Sequence, residues 1–331
     1  MTATFSASER QMVADAVTAI FAAADADATA ALVEFGIDDL VASDRQQLGT
    51  VFGIQGSTAS TSSLLNRVMA SALGSAFGEL IDLGSSVASL VAPPAIVDGG
   101  RLSFAGVAMR TGDGGRVIVG DDRPGGVVAV VDVRAAGVRV RPLQGIDPAL
   151  CMSAVTAEGV VPDRLIVGTD AAAAWRNALL WGQAALAAEL VGCARRVLGI
   201  ASEYANHRVQ FGRPIGSFQA VKHRLANALI AIEAADASVE AVLLRPTALS
   251  AMVAKSAAGR AARGAADQAL QVLGAIGFTL EHPFHRYQRR CLALDRLFGS
   301  SDEIPRAIGA ELLRTGDVPI IIGLDDLDHP G

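Results

Sequence analysis

From Ala171 onward the chain is written as three long helices with very little between them. The first apolar-periodic run extends from Ala171 to about Asn206, 36 residues, or about 54 Å at the helical rise. The second spans about Ser217–Arg245 and stops at Pro246. The third spans about Leu249–Leu273 and stops at Gly274, and shorter helices are expected over 283–296 and 302–314. Helices of this length with short connections pack as antiparallel neighbours in a bundle. The most apolar stretch, Ala178–Ala194, is interrupted by Gln183 and Glu189 and reads as a buried helix rather than a membrane span.

The rest of the chain has two further zones. Residues 1–78 read as helical. Ser6 and Glu9 have capping-box spacing, and Met12, Val13, Ala16, Val17, Ile20 and Phe21 follow at helical intervals. A second helix is expected over Thr29–Phe35, ended by Gly36 as a left-handed cap. Residues 55–63 are small and polar, and read as a loop, a helix start or a mobile segment. Between 79 and 168, short Val/Ile runs alternate with Gly/Asp/Pro turns. Strands are expected at Leu102–Val107, Val117–Gly120, Val127–Val133, Val138–Val140 and Leu165–Val167, forming a small antiparallel β domain. The expected architecture is α+β: a helical domain (1–78), a middle β domain (79–168) and a helical bundle (169–331). The absence of βαβ alternation excludes a Rossmann sheet.

Composition narrows the function classes. With 28 basic and 34 acidic residues the net charge is −6, which argues against a general nucleic-acid binder. The three cysteines, Cys151, Cys193 and Cys291, show no zinc or disulfide-framework spacing, and are expected as reduced, buried thiols. No basic, then apolar, N-terminal leader is present, so a cytoplasmic protein is expected. Of the 28 basic residues only Lys222 and Lys255 are lysines, an Arg bias typical of a GC-rich genome.

Two segments carry chemistry. The first is His207–Gln219, HRVQFGRPIGSFQ, between two long helices. Arg208 can fork onto a phosphate, and the following helix start offers free N–H groups. Taken alone it is first an ordinary inter-helix turn with Phe211 and Phe218 as core plugs. The second is Gln271–Arg290, with Gly274 and Gly277 three apart after a helix, either a cap and turn or a place where another chain or a cofactor approaches the backbone. Arg286, Arg289 and Arg290 lack the aromatic interleaving of a nucleic-acid patch, and His282 and His285 lack further ligands at metal spacing.

Together these segments resemble the acyl-CoA dehydrogenase family. The pattern R-x-x-F-G-x-x-I-x-x-F-Q is met by Arg208, Phe211, Gly212, Ile215, Phe218 and Gln219, and Q-x-x-G-x-x-G by Gln271, Gly274 and Gly277. The run from Gly277 to Arg290 is similar to actinobacterial members. The resemblance implies FAD and oxidation of an acyl-CoA to its 2-enoyl form, with electrons passing to an electron-transferring flavoprotein. It also implies that Arg208, Phe211, Gln219, Gln271, Gly274 and Gly277 reach the FAD of a neighbouring subunit.

The sequence departs from the family where the family's base should stand. The run matching Y-E-G-T-S-E-I is Phe298–Ile304, with Gly299 at the glutamate position. The alternative family position falls near Gly182. Glu189, Asp302 or Glu281 are the carboxylates left to substitute. The flavin-ring motifs T-E-P-x-x-G-S-D and W-I-T-N find no match, and the two tryptophans, Trp175 and Trp181, lie on the long helix. The chain thus resembles the non-catalytic β-type subunit of actinobacterial heterotetrameric (α2β2) steroid-CoA dehydrogenases, whose catalytic α subunit supplies the glutamate. A self-sufficient homo-oligomer with a relocated base and a flavin-free scaffold are the alternatives.

Overall fold

The computed structural model describes residues 5–24, 27–77, 85–90, 95–111, 115–123 and 125–316. Five helices come first: α1 (Ala7–Ala23), α2 (Thr29–Glu34), α3 (Ile37–Ser43), α4 (Gln46–Thr58) and α5 (Leu64–Phe77). The Ser6–Glu9 capping box forms as expected and starts α1. Val13, Val17 and Phe21 face inward, whereas Met12 is 70% exposed and does not join the core. Gly36 ends α2 in the left-handed conformation, φ +83°, and also opens α3, which the sequence did not announce. The small polar run at 55–63 is the last turn of α4 followed by a tight turn; Ala59 takes φ +50° there.

Eight strands form one mixed sheet: β1 (Ser86–Leu90), β2 (Ile96–Asp98), β3 (Arg101–Met109), β4 (Arg116–Asp121), β5 (Val127–Asp132), β6 (Val138–Pro142), β7 (Met152–Val160) and β8 (Arg164–Val167). The order is β6-β7-β3-β1-β4-β5-β8, with β2 attached to β3. The sheet is not wholly antiparallel, because β1 pairs parallel with β4. β1, β2 and β7 are additional to the five expected strands. One face, through Val87, Met109, Ile118, Val128 and Val130, packs on the helices. The other curls over a second core that includes Leu102, Phe104, Val117, Val131 and Val155.

The long helices follow: α6 (Thr169–His207), α7 (Gln219–Leu244), α8 (Ala248–Leu273), α9 (Phe284–Arg296) and α10 (Glu303–Thr315). A two-stranded hairpin, β9 (Val209–Gln210) and β10 (Arg213–Pro214), with a 3-10 turn at Ile215–Ser217, joins α6 to α7. Residues Trp181–Ala194 of α6 are buried all round, which makes α6 the central pillar. α8 meets it with a stripe of alanines, Ala251, Ala254, Ala258, Ala262 and Ala265. The acidic tail from residue 317 lies outside the described residues.

Glycine sets the closest helix crossing. A Cβ on Gly56 of α4 would fall 2.0 Å from the Glu189 carbonyl oxygen and 2.9 Å from the Cys193 nitrogen, both backbone atoms of α6. Gly192 meets Gly53 just as closely. Gly56→Ala must push two helices apart and is expected to cost about 3 kcal/mol, read as a lower midpoint in urea denaturation. An unchanged midpoint would mean that α4 slides on α6 at no cost.

Candidate functional site

The two motifs come together at one end of the bundle. α7 and α8 are antiparallel, and Arg224 in the first turns of α7 donates to Gln268 in the last turns of α8 at 2.9 Å. That bond places Gln219 and the hairpin on the same end as Gln271 and Gly274. The hairpin is tight: the Ile215 nitrogen donates to the Arg208 carbonyl at 2.8 Å, and Arg208 itself closes α6 by donating to the Tyr204 carbonyl.

The side chains of this end face outward. Phe211 is 92% exposed and sits at φ +52°, a conformation unfavourable for a bulky residue. It therefore is not the core plug that the turn reading required. Phe218 is half-buried, with its ring edge-on to Phe211 at 6.1 Å and under the Arg213 guanidinium at 4.2 Å. Arg208, Gln219 and Gln271 are exposed, and among the described residues their side chains have no hydrogen-bond or ion-pair partner. Gly274 takes φ +62°, and a Cβ there would meet nothing within 4 Å. Gly277 is buried, and a Cβ there would strike Leu270 at 2.8 Å, so it shapes the turn. An unpaired guanidinium, two free amides, an exposed ring and open space at a glycine fit an anionic, partly planar group presented from outside the chain.

The base position is built differently. Lys255 and Gln271 are sixteen residues apart on α8, about 24 Å. The Lys255 ammonium, fully buried, donates to the carbonyls of Asp295 (2.9 Å) and Gly299 (3.0 Å). The buried Asp295 carboxylate accepts from the Ser301 nitrogen and hydroxyl. Ser300 and Glu303 bond reciprocally at the start of α10. Gln183 donates to the Phe298 carbonyl, and the Phe298 nitrogen donates to the Ser89 hydroxyl. Every strand of the loop is thus tied down, and Gly299 turns through φ +100° with Ile304 3.0 Å from a Cβ built there. Near Gly182, a Cβ would fall 2.6 Å from the Met69 sulfur, so α5 fills that space.

Two of the three substitute carboxylates are held in ion pairs, and the third stands at the other end of α8 from the Gly299 loop. Glu189 is buried, paired with Arg290 at 3.0 Å and accepting from Gln55 at 2.9 Å. Burial pushes its carboxyl up, opposed by the Arg290 charge and the Gln55 bond. Asp302 is paired with Arg263 at 2.9 and 3.1 Å, which holds its carboxyl below the usual range. Glu281 lies at the motif end of the bundle, beyond α8. His285 bonds through Nδ1 to the His282 carbonyl, while His282 Nδ1 accepts from the Phe284 nitrogen. Among the described residues no cluster of His, Cys, Asp or Glu could hold a metal. Of the cysteines, Cys193 and Cys291 are buried, but Cys151 is exposed, contrary to expectation.

Several buried charged groups escaped the sequence reading, Asp295 among them, and two are cations. Arg290, grouped there with Arg286 and Arg289, is 1% exposed and bonds Asp147, Glu189 and the Ser60 carbonyl. Lys255 is the other. Lys255 stands alone among small and apolar residues, whereas Arg290 follows Arg286 and Arg289 and nothing local sets it apart. Burial lowers the Lys255 pKa from 10.5 to about 8. The unfolded chain keeps that proton up to about pH 10.5, so between 8 and 10.5 unfolding takes up a proton. Stability from this group therefore rises with pH across that window, by up to about 1.4 kcal/mol per unit. Lys255→Met should flatten the rise relative to the parent chain in denaturation midpoints taken at pH 8 and pH 10. Parallel curves would mean that Lys255 is not desolvated.

Known proteins share sequence and fold with this chain. Residues 172–313 match the acyl-CoA dehydrogenase C-terminal domain. Acyl-CoA dehydrogenase IpdE2 of Mycobacterium tuberculosis is 44% identical over 127 residues, 38% of this chain and 40% of that protein. The matched segment thus spans about two fifths of that relative's length. Among solved structures, the ChsE4-ChsE5 complex from Mycobacterium tuberculosis superposes with TM-score 0.78 at 23% identity, covering 97% of this chain and 100% of the matched one. The Tcur3481-Tcur3483 steroid ACAD superposes with TM-score 0.78 at 23% identity, covering 93% and 98%. No described helix is long and apolar enough to cross a membrane. The chain therefore has the acyl-CoA dehydrogenase fold and carries an acyl-CoA dehydrogenase C-terminal domain at residues 172–313.

Proposed function

We propose that this chain is the non-catalytic subunit of a heteromeric, FAD-dependent acyl-CoA dehydrogenase. The observation that carries the reading is the division between its two sites. The residues expected to serve a neighbour's FAD, Arg208, Phe211, Gln219, Gln271 and Gly274, are exposed, and among the described residues the Arg208, Gln219 and Gln271 side chains have no hydrogen-bond or ion-pair partner. The position expected to serve its own catalysis holds Gly299 and is tied shut by Lys255, Asp295 and Gln183. Random decay has no reason to spare one set and close the other.

In this reading residues 1–78, 79–168 and 169–331 are the three family domains, and the partner subunit supplies the glutamate that removes the substrate α-proton. The chemistry FAD would supply, if bound, is that of a hydride acceptor. Arg208 would neutralise pyrophosphate charge, Gln219 and Gln271 would supply neutral hydrogen bonds, Gly274 would let the backbone approach, and Phe211 would offer an apolar contact. The substrate class is a bulky, steroid-type acyl-CoA, supported by the names of the two structural neighbours. An electron-transferring flavoprotein is the expected acceptor, and α2β2 the expected assembly in the cytoplasm.

The test is a visible absorption spectrum of the purified chain, alone and co-purified with a catalytic acyl-CoA dehydrogenase subunit. Flavin absorbance only in the complex, near one FAD per pair, is expected. Stoichiometric flavin in the chain alone would replace the reading with a self-sufficient enzyme. No flavin in any pairing would leave a scaffold.

A further inference from the structure

The hairpin between α6 and α7 places a second arginine beside Arg208. Phe211 and Gly212 both take positive φ, +52° and +77°, the primed two-residue turn that suits a β-hairpin. Arg213 pairs with Gln210, and the Ile215 nitrogen donates to the Arg208 carbonyl, which sets Ile215 opposite Arg208. In that register Arg208, Gln210 and Arg213 stand on one face of the ribbon, with the two arginines diagonal neighbours. One more residue in the turn would send Arg213 to the other face. Arg213 is also held in advance. Its guanidinium lies 4.2 Å over the Phe218 ring, and that ring meets Phe211 edge-on at 6.1 Å. Stacking orders the long side chain and consumes none of its N–H donors.

Arg213 is exposed and, among the described residues, has no hydrogen-bond or ion-pair partner. The carboxylates of this end leave both arginines uncompensated. Glu203 meets Arg196 at 3.6 Å, and among the described residues neither Asp267 nor Glu281 forms an ion pair with Arg208 or Arg213. Two unpaired guanidinium groups on one face match a doubly charged anion better than a single phosphate. We propose that Arg213 is a second anion-binding residue of this site, forking with Arg208 onto the two phosphates of the dinucleotide, with Phe218 as the platform that positions it. The proposal rests on the shared-FAD reading above. It adds to that reading a residue at a position that the pattern R-x-x-F-G-x-x-I-x-x-F-Q leaves open. The platform removes side-chain freedom before the anion arrives, so less is lost on binding.

The complex with a catalytic acyl-CoA dehydrogenase subunit, stripped of flavin and titrated with FAD, gives the test through the change in flavin fluorescence. Arg213→Ala should raise the dissociation constant about tenfold or more. It should also flatten the rise of that constant between about 50 and about 500 mM NaCl, because one screened charge is gone. Arg213→Lys keeps the charge without the planar fork, and should recover part of the affinity and most of the salt dependence. Phe218→Leu keeps Arg213 but removes its platform. It should weaken FAD less than Arg213→Ala does, with the salt dependence of the parent. Circular dichroism melts superimposable on the parent show that these surface variants fold. If Arg213→Ala binds FAD as the parent does, or weakens it with the salt dependence intact, Arg213 holds no phosphate and the proposal falls. Flavin loss in Arg208→Ala would then keep the shared-FAD reading standing. A parent complex that takes up no FAD would remove that reading, and this proposal with it.

Discussion

Arg290→Met is expected to lower the stability of the chain by about 3–5 kcal/mol. Arg290 is 1% exposed and lies where three parts of the structure meet. Its guanidinium donates to Asp147, ahead of β7, to Glu189 in the middle of α6, and to the Ser60 carbonyl in the turn after α4. Glu189 in turn accepts from Gln55, whose own carbonyl oxygen accepts from Ser62. Removing the cation leaves two carboxylates desolvated and uncompensated, a larger loss than the pair itself contributes. The measurement is the urea midpoint of Arg290→Met against Arg290→Met/Glu189→Gln/Asp147→Asn. The triple substitution should recover part of the loss, because the stranded charges are gone. If the triple is worse than the single, packing of the Arg290 stem is what matters rather than charge.

How much of this was legible in the sequence follows from where the signals live. α6, α7 and α8 were readable because their marks are local: helical apolar spacing, Pro246 and Gly274 as stops, and the Ser6 box for α1. β7 was missed because Met152–Val160 is written in small residues, with no run of branched or aromatic side chains. It is a strand because β3 and β6 pair with it on both sides, and tertiary pairing overrides weak propensity. The parallel β1–β4 pairing is likewise a long-range fact. At the sites, the motif end was legible because Arg208 to Gln219 and Gln271 to Gly277 are linear patterns. The closed loop was half legible. Gly299 could be read as a missing base, but Lys255 and Asp295, which hold the loop from α8 and α9, have no pattern that announces them. Arg290 was misread because Arg286, Arg289 and Arg290 look alike in sequence, and only the helix turn puts one of them inside.

Arg208→Ala is expected to empty the flavin from the assembled complex while leaving the chain itself as stable as before. Among the described residues its side chain has no hydrogen-bond or ion-pair partner, so its removal is expected to cost the fold little; the local backbone is fixed independently by the Tyr204 and Ile215 bonds. A hydrogen bond to a charged group contributes about 1.5–3 kcal/mol, which is about 10- to 150-fold in flavin affinity. That is enough for FAD to wash out during gel filtration, read as the ratio of absorbance at 450 nm to that at 280 nm. Arg208→Lys keeps the charge but not the planar fork, and should retain an intermediate share. Gln271→Ala, removing a neutral partner, should cost about 0.5–1.5 kcal/mol and leave most of the flavin bound. The order alanine at 208, then lysine at 208, then alanine at 271 is what separates recognition of an anion from mere packing at this end of the bundle. A purely structural Arg208 would show the reverse pattern, a lower melting temperature with flavin unchanged. Full flavin retention in Arg208→Ala would place the pyrophosphate elsewhere, and the openness of this end would then belong to protein docking alone.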